Sequence, residues 1–152
     1  MNDYYTLKAQ NVTLKHINRV RELLHKIIIV FQDKSLKHDE SKFDKEEIDP
    51  LAAMQELVDK EGQAPYGSEE YTRRLSLLKP MLEHHYKFNS HHPEYYNNGV
   101  LGMTLMDLLE MLADWKAASE RGEESIMNFT ESQKRFNISD DLMQVIINTA
   151  KY

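Results

Sequence analysis

The segment HHYKFNSHHPEYY, residues 84–96, places four of the chain's seven histidines within nine positions. Imidazole changes charge near neutral pH and is a common ligand for divalent metals. Three further features carry related chemistry. His38 and Asp39 form a doublet followed by Glu40, Ser41 and Lys42. Asp107, Glu110 and Asp114 stand in one row of a helix, and His16 falls in an otherwise apolar row. Neutral imidazoles and carboxylates are the donors that Zn, Mn, Fe and similar divalent ions prefer. Each feature alone has a plainer reading. An inward histidine is usually a satisfied core residue, and an acidic row is usually a solvated face. Like charges along one helix face repel by roughly a few tenths of a kcal/mol per pair, and a bound cation would reverse that sign. The four features together point to metal chemistry.

These side chains need elements to bring them together, and the pattern predicts helices throughout. Gly and Pro are few, while Leu, Met, Glu and Lys are plentiful. A first helix is predicted from about Asn11 to Gln32, capped by Asn11. Val12, His16, Val20, Leu23, Ile27 and Val30 form its inward stripe. A polar connector follows. Asp44 and Glu47 then resemble a capping box opening a helix that runs to Lys60, bent near Pro50. After the loop EGQAPYGS, Ser68 is predicted to cap a helix whose core row is Tyr71, Leu75, Leu78, Leu82, His85 and Asn89. Pro80 should kink it, and Pro93 should end it at or before His91. The histidine segment is thus a helix end turning into a loop. Thr104 is predicted to cap a strong helix ending before Gly122, with Leu105, Leu108, Leu112 and Trp115 as its core row. Ser139 caps a final helix over about residues 139–150. The expected fold is an all-α, single-domain helical bundle over residues 1–152.

Composition narrows the class. The chain has 152 residues, 41% of them apolar, which suits one domain with one core. It has no cysteine, so disulfides and thiolate metal sites are excluded. Net charge is −6, and no block of Lys or Arg is present, which argues against general nucleic-acid binding. The opening MNDYYTLKAQ lacks an apolar run, and the longest apolar stretch, Ile27 to Phe31, is too short to span a bilayer. A cytoplasmic protein without membrane contact is expected. Tyr66, Tyr95 and Tyr96 stand in predicted loops where a ring could stack on a base, although loop tyrosines are common.

His16, the His38-Asp39 doublet, His85, the His91-His92 pair and an Asp on a late helix resemble the HD-domain superfamily of all-helical metal-dependent phosphohydrolases. Order and helix placement agree over about residues 12–121. HDESK is similar to the HD-x-x-K of its cyclic-dinucleotide phosphodiesterases and to the HD-x-x-E of its nucleotidases. The denser pattern H-x-x-x-N-x-H-H-P-E-Y-Y followed by D-L-L-E-M-L-A-D-W-K-A-A resembles a small family of phage and bacterial proteins without an established function.

The resemblance implies that His16, His38, Asp39 and a late Asp hold one metal. Asp107 is favoured as that last ligand because it stands in the first turn of its helix, with Asp114 the alternative ligand or an orienting carboxylate. His85 and either His91 or His92 would bind a second ion or a phosphate. The adjacent pair should diverge, leaving one of the two structural, and Asn89 would support them. The implied cofactor is one or two divalent ions, Mn, Zn, Mg, Ni or Fe. Lys42 could contact phosphate as a point charge. Asp39 could orient the attacking water, with Glu40 or Glu110 as base. His25 and His84 read as surface residues.

The expected activity is hydrolysis of a phosphomonoester or phosphodiester in a nucleotide or nucleotide-like metabolite. Two alternatives stand beside it, a non-catalytic domain that sequesters a nucleotide and a di-iron oxygenase of the same fold. The expected partner is a small phosphate ester. Assembly as a dimer is compatible with the sequence.

Overall fold

In a computed structural model of the chain, residues 3–65, 67–120 and 127–151 are described. Tyr66 and Gly122 therefore lie outside the described residues. The described chain is all-α: six α-helices and three short 3-10 turns, with no strand among the described residues. It divides into two units, Met1–Lys37 and His38–Tyr152. None of its helices is long and apolar enough to cross a membrane.

The first unit is helix α1, Asp3–Lys37. It starts earlier and ends later than the predicted 11–32. Nothing between Asp3 and Lys37 breaks a helix, for there is no Gly or Pro. Asn11, a good cap at a true helix start, is here simply carried through by the Leu7–Gln10 helix formers that precede it. At ~1.5 Å per residue α1 is roughly 52 Å long. Its apolar stripe is exposed: Val20 retains 40% of its surface and Ile27 46%, and no residue of α1 is buried. The inward-facing His16 expected from periodicity is likewise exposed.

The second unit holds everything else. Helix α2 spans Lys45–Glu61 and runs through Pro50, and α3 spans Glu69–Phe88 and runs through Pro80. The two pack against each other. Ser68 caps α3 as predicted, its Oγ accepting the Tyr71 N–H at 3.0 Å. Asp44 precedes α2 without a side-chain cap bond, so the predicted capping box does not form. Glu47 is drawn to a different task below. In the α3 row Leu75 is 43% exposed, and the buried positions are Arg74, Met81 and His85.

Helix α4, Leu105–Ser119, opens on a capping box between Thr104 and Asp107. Short helices α5, Phe129–Phe136, and α6, Asp140–Thr149, complete the unit, the latter capped by Ser139. The apolar core is Val100, Met111, Leu112, Ile138, Met143 and Ile146, with Leu108, Trp115 and Phe136 packed against it. Leu105 lies outside this core at 68% exposure. Met111 and Leu112, each 1% exposed, contribute about 1.5–3 kcal/mol apiece relative to solvent exposure. Their burial fixes the rotation of α4 and hence the direction in which Glu110 and Asp114 project.

Candidate metal centre

Asp39 is the hub of the site. Its backbone is left-handed, φ 57° and ψ 20°, a conformation that Asp tolerates better than most residues but which still costs on the order of 1 kcal/mol. This residue stops α1 and starts the 3-10 turn Glu40–Phe43, which is closed by the Lys42 N–H donating to the Asp39 carbonyl at 2.9 Å. The Lys42 ammonium donates to Asp39 Oδ2 at 2.5 Å. Around the carboxylate stand imidazole nitrogens. His38 Nε2 is 3.4 Å from Oδ2, while His85 Nε2 and His91 Nε2 are 3.4 and 3.5 Å from Oδ1. His92 Nε2 is 2.9 Å from His85 Nε2.

Behind the rings stand two carboxylates that set their tautomers. Glu110 Oε1 lies 3.0 Å from His38 Nδ1 and 3.2 Å from His91 Nδ1. Glu47, with no exposed surface, puts Oε1 2.8 Å from His84 Nδ1 and Oε2 2.8 Å from His85 Nδ1. An ionised carboxylate only accepts, so each of these Nδ1 atoms carries the proton it donates. In a neutral ring Nε2 is then a bare lone pair. Three such lone pairs, on His38, His85 and His91, face the oxygens of Asp39. Acceptors facing acceptors repel unless protons or a cation stand between them. Asp39 Oδ1 and His91 Nε2 are in fact buried without a hydrogen-bond partner. Carboxylate–imidazole pairs of this kind orient metal ligands and raise their basicity.

The segment carrying His91 and His92 is anchored at both ends. The Asn89 amide donates to Ser41 Oγ at 2.7 Å and to the His85 carbonyl at 2.8 Å, joining the end of α3 to the Asp39 turn. Asp107, 2% exposed, holds the other end. Ser90 Oγ donates to its Oδ1 at 2.7 Å, and Tyr96 OH, the Thr104 N–H and Thr104 Oγ1 donate to its Oδ2 at 2.9, 2.8 and 2.5 Å. Pro93 keeps His92 extended, at φ −96° and ψ 130°, as predicted. The adjacent rings of His91 and His92 do not diverge. Their centroids are 4.1 Å apart.

Protonation follows from this packing. The Glu110 hydrogen bond, opposed by burial and aided by Asp39 and Asp114, holds His38 above the ordinary histidine range. Burial pushes Asp39 toward its neutral form, but the Lys42 hydrogen bond and charge, with His38 and His85, outweigh that and hold the carboxyl below its usual range. Glu47 is similar: burial raises it, while hydrogen bonds from His84, Ser41 and His85 bring it below normal. Burial, then the neighbouring His91 and His85, depresses His92 to about 3, so its ring is neutral.

Two groups of ligand atoms follow, and in each the atoms lie within 4.8 Å of one another: Asp39, His85, His91 and His92 in the first, His38, Asp39 and Asp114 in the second. Either could hold a metal ion, and Asp39 is common to both. A third, His38, His91 and Glu110, meets the same spacing through the Nδ1 hydrogen bonds already described. The unpartnered Asp39 Oδ1 and His91 Nε2 fit a cation, since both are electron-pair donors.

The predicted site residues thus separate. His38, Asp39, His85, His91, His92 and Asp114 are brought together, with Lys42, Asn89 and Glu110 touching them. Asp107, the favoured last ligand, is committed to the helix cap and the loop, and Asp114 reaches the cluster instead, its Oδ1 4.0 Å from His38 Nε2. Glu40 is exposed and belongs to none of the groups. His16 stands on α1, outside the unit from which all three groups are drawn. His84, read as a surface residue, is bonded to buried Glu47. Glu47 itself carried no signal beyond its spacing from Asp44. Only the buried face it shares with α3 reveals it.

A model of a family of unknown function, DUF5662, matches residues 6–152. No curated protein and no solved structure matches the chain.

Proposed function

Since the chain belongs to DUF5662, a family whose description carries no activity, we propose its function from the site: a metal-dependent phosphohydrolase acting on a small phosphate ester. The observation that carries the reading is the convergence of imidazole lone pairs on Asp39, with Oδ1 of Asp39 and Nε2 of His91 buried and unpartnered. The reaction class is supported by the HD-type doublet and the order of the histidines that follow it.

Asp39, His85, His91 and His92 would hold one ion, and His38, Asp39 and Asp114 a second, with Asp39 shared. Four imidazoles suit Zn, Fe, Ni or Mn better than Mg, which favours oxygen donors. A bound divalent ion supplies a Lewis acid that polarises a phosphoryl oxygen and makes water acidic enough to attack near neutral pH. The protein's own groups do the rest. Glu110 and Glu47 keep His38, His91 and His85 in the Nδ1–H form, so that Nε2 presents its lone pair. Lys42, half-exposed beside Asp39, offers a mobile positive charge to an anionic ester. Glu110 has both rings hydrogen-bonded to it and is better placed to orient them than to act as base.

The test is elemental analysis of the purified protein followed by a phosphate-release screen. Asp39→Ala, which removes the shared ligand, is expected to abolish metal binding, and His38→Ala to lower metal content by the ion it holds with Asp39 and Asp114, whereas His25→Ala retains the full content. Equal metal content in all three variants would sink the reading. Iron with a visible absorption band and no phosphate release would move the same ligands to oxygen chemistry.

A further inference from the structure

A cleft of about 530 Å³ opens beside the cluster, between α4, α5 and the end of α3. Its walls include His92 and Asp114, which also belong to the metal-type groups, together with Trp115, Phe129, Phe136 and Arg135. We propose that this cleft receives the organic part of the ester, and that this part is a planar aromatic ring: the substrate class is a nucleoside or aryl monophosphate. The proposal rests on the phosphohydrolase reading for the phosphate end alone.

Three observations carry it. The first is continuity. His92 and Asp114 are cluster residues and cleft wall at once, so an ester with its phosphoryl group at the cluster must project its organic part into the cleft or into solvent.

The second is the wall itself. Trp115 and Phe136 are stacked, with centroids 5.9 Å apart and planes 13° from parallel, and the Arg135 guanidinium lies 4.7 Å from the Phe136 centroid. Trp115 and Phe129 are half-buried, each leaving ring surface toward the cleft. A layered arrangement of flat groups is extended most favourably by another flat group. The cleft volume falls within the roughly 300–1,000 Å³ of small-ligand sites.

The third is charge. Beyond the cluster, Arg135 is the one cation among the described residues that line the cleft, and it is paired with Glu94 at 3.0 Å. Glu131 and Asp114 add two carboxylates to the same wall. A second phosphate there would lie against the carboxylates of Asp114 and Glu131, with the Arg135 guanidinium already paired. One phosphate at the cluster and an uncharged ring in the cleft satisfy both ends. A diphosphate, a triphosphate or a cyclic dinucleotide would not.

The sequence contains one tryptophan, Trp115, so intrinsic fluorescence reads this cleft directly. The full-length protein would be titrated with adenosine monophosphate, phenyl phosphate, adenosine diphosphate, ribose 5-phosphate and inorganic phosphate, and phosphate release measured on the same panel. Adenosine monophosphate and phenyl phosphate should change Trp115 emission saturably. Ribose 5-phosphate and inorganic phosphate should leave it unchanged, and adenosine diphosphate should bind more weakly than the monophosphate. Phe129→Ala should weaken the monophosphate by about tenfold, the loss of one stacking surface. Equal binding of ribose 5-phosphate and adenosine monophosphate, or no saturable change with any ring-bearing ester, overturns the proposal. These arms use the native protein and so do not depend on the variant folding. Binding of the aromatic esters without hydrolysis would leave the cleft standing and refute the hydrolase reading. Hydrolysis indifferent to the ring would do the reverse.

Discussion

Replacing Glu47 by glutamine separates a carboxylate that positions a metal ligand from one that merely fills space. The side chain has no exposed surface, and both oxygens are used, Oε1 by His84 Nδ1 and Oε2 by His85 Nδ1, each at 2.8 Å. Glutamine has the same shape but one oxygen and one NH₂. If its oxygen faces His85, the NH₂ confronts His84 Nδ1, and that ring must move its proton to Nε2. His84 can do so, because 23% of its side chain is exposed and water can serve the relocated proton. The fold then survives with two neutral hydrogen bonds in place of two charge-assisted ones. Charge-assisted bonds contribute about 1.5–3 kcal/mol and neutral ones about 0.5–1.5. The expected loss of stability is about 2–3 kcal/mol, or a fall in melting temperature of roughly 4–12 °C for a chain of this size. The effect on metal is the sharper readout. His85 loses the anion that raises the basicity of its Nε2, and affinity should fall about 10–100-fold. Chelator competition on the refolded apoprotein gives the dissociation constant, and circular dichroism confirms the helix content. His84→Ala, which removes the other partner, should reduce affinity much less. Metal binding by Glu47→Gln within twofold of the native protein, at unchanged helicity, would refute the reasoning.

Three further outcomes follow from the same geometry. Asp107→Asn should destabilise the protein by about 2–4 kcal/mol, since it replaces four charge-assisted hydrogen bonds to a buried carboxylate by neutral ones. Asp114→Asn should instead lower metal content at nearly native melting temperature, and the opposite pattern in the two variants would restore Asp107 as ligand. Gly102→Ala should lower stability by about 1–3 kcal/mol in urea unfolding, because a Cβ there would press on Asn98 Oδ1 and approach Tyr96 Cβ to 2.8 Å. A neutral Gly102→Ala would mean that this turn yields. In the metal-free protein, stability should fall as pH drops from 6.5 to about 4.5. His92 in the folded state refuses a proton until about 3, whereas the unfolded chain accepts it near 6.5. His38, raised in the folded state, gives stability that is fully present below 6.5 and is lost as pH rises through its folded value, so it adds no slope in this window. Asp39 and Glu47, lowered in the folded state, lose their contribution only at still lower pH. His92→Gln should therefore flatten the profile between pH 6.5 and 4.5, and an unchanged slope would count against the buried neutral ring.

Local features were legible in the residues themselves. Ser68, Thr104 and Ser139 each meet a backbone N–H three residues on, so helix starts were readable from residue type and spacing. The all-α class followed from composition and period, and the richness in imidazole at residues 84–92 followed from inspection. Local signals also misled where context overrode them, as at Asn11, where no breaker stopped the helix, and at Asp44, whose apparent partner Glu47 was used elsewhere. Which atoms meet is settled by long-range packing. Glu47 finds His84 and His85 at separations of 37 and 38 residues, and Glu110 finds His38 across 72. The choice between Asp107 and Asp114 depended on the rotation of α4, which is fixed by burying Met111 and Leu112 and by the cap at Thr104. Residue types set the available donors, and packing over long separations sets their directions. A lone pair becomes a ligand only when both are specified.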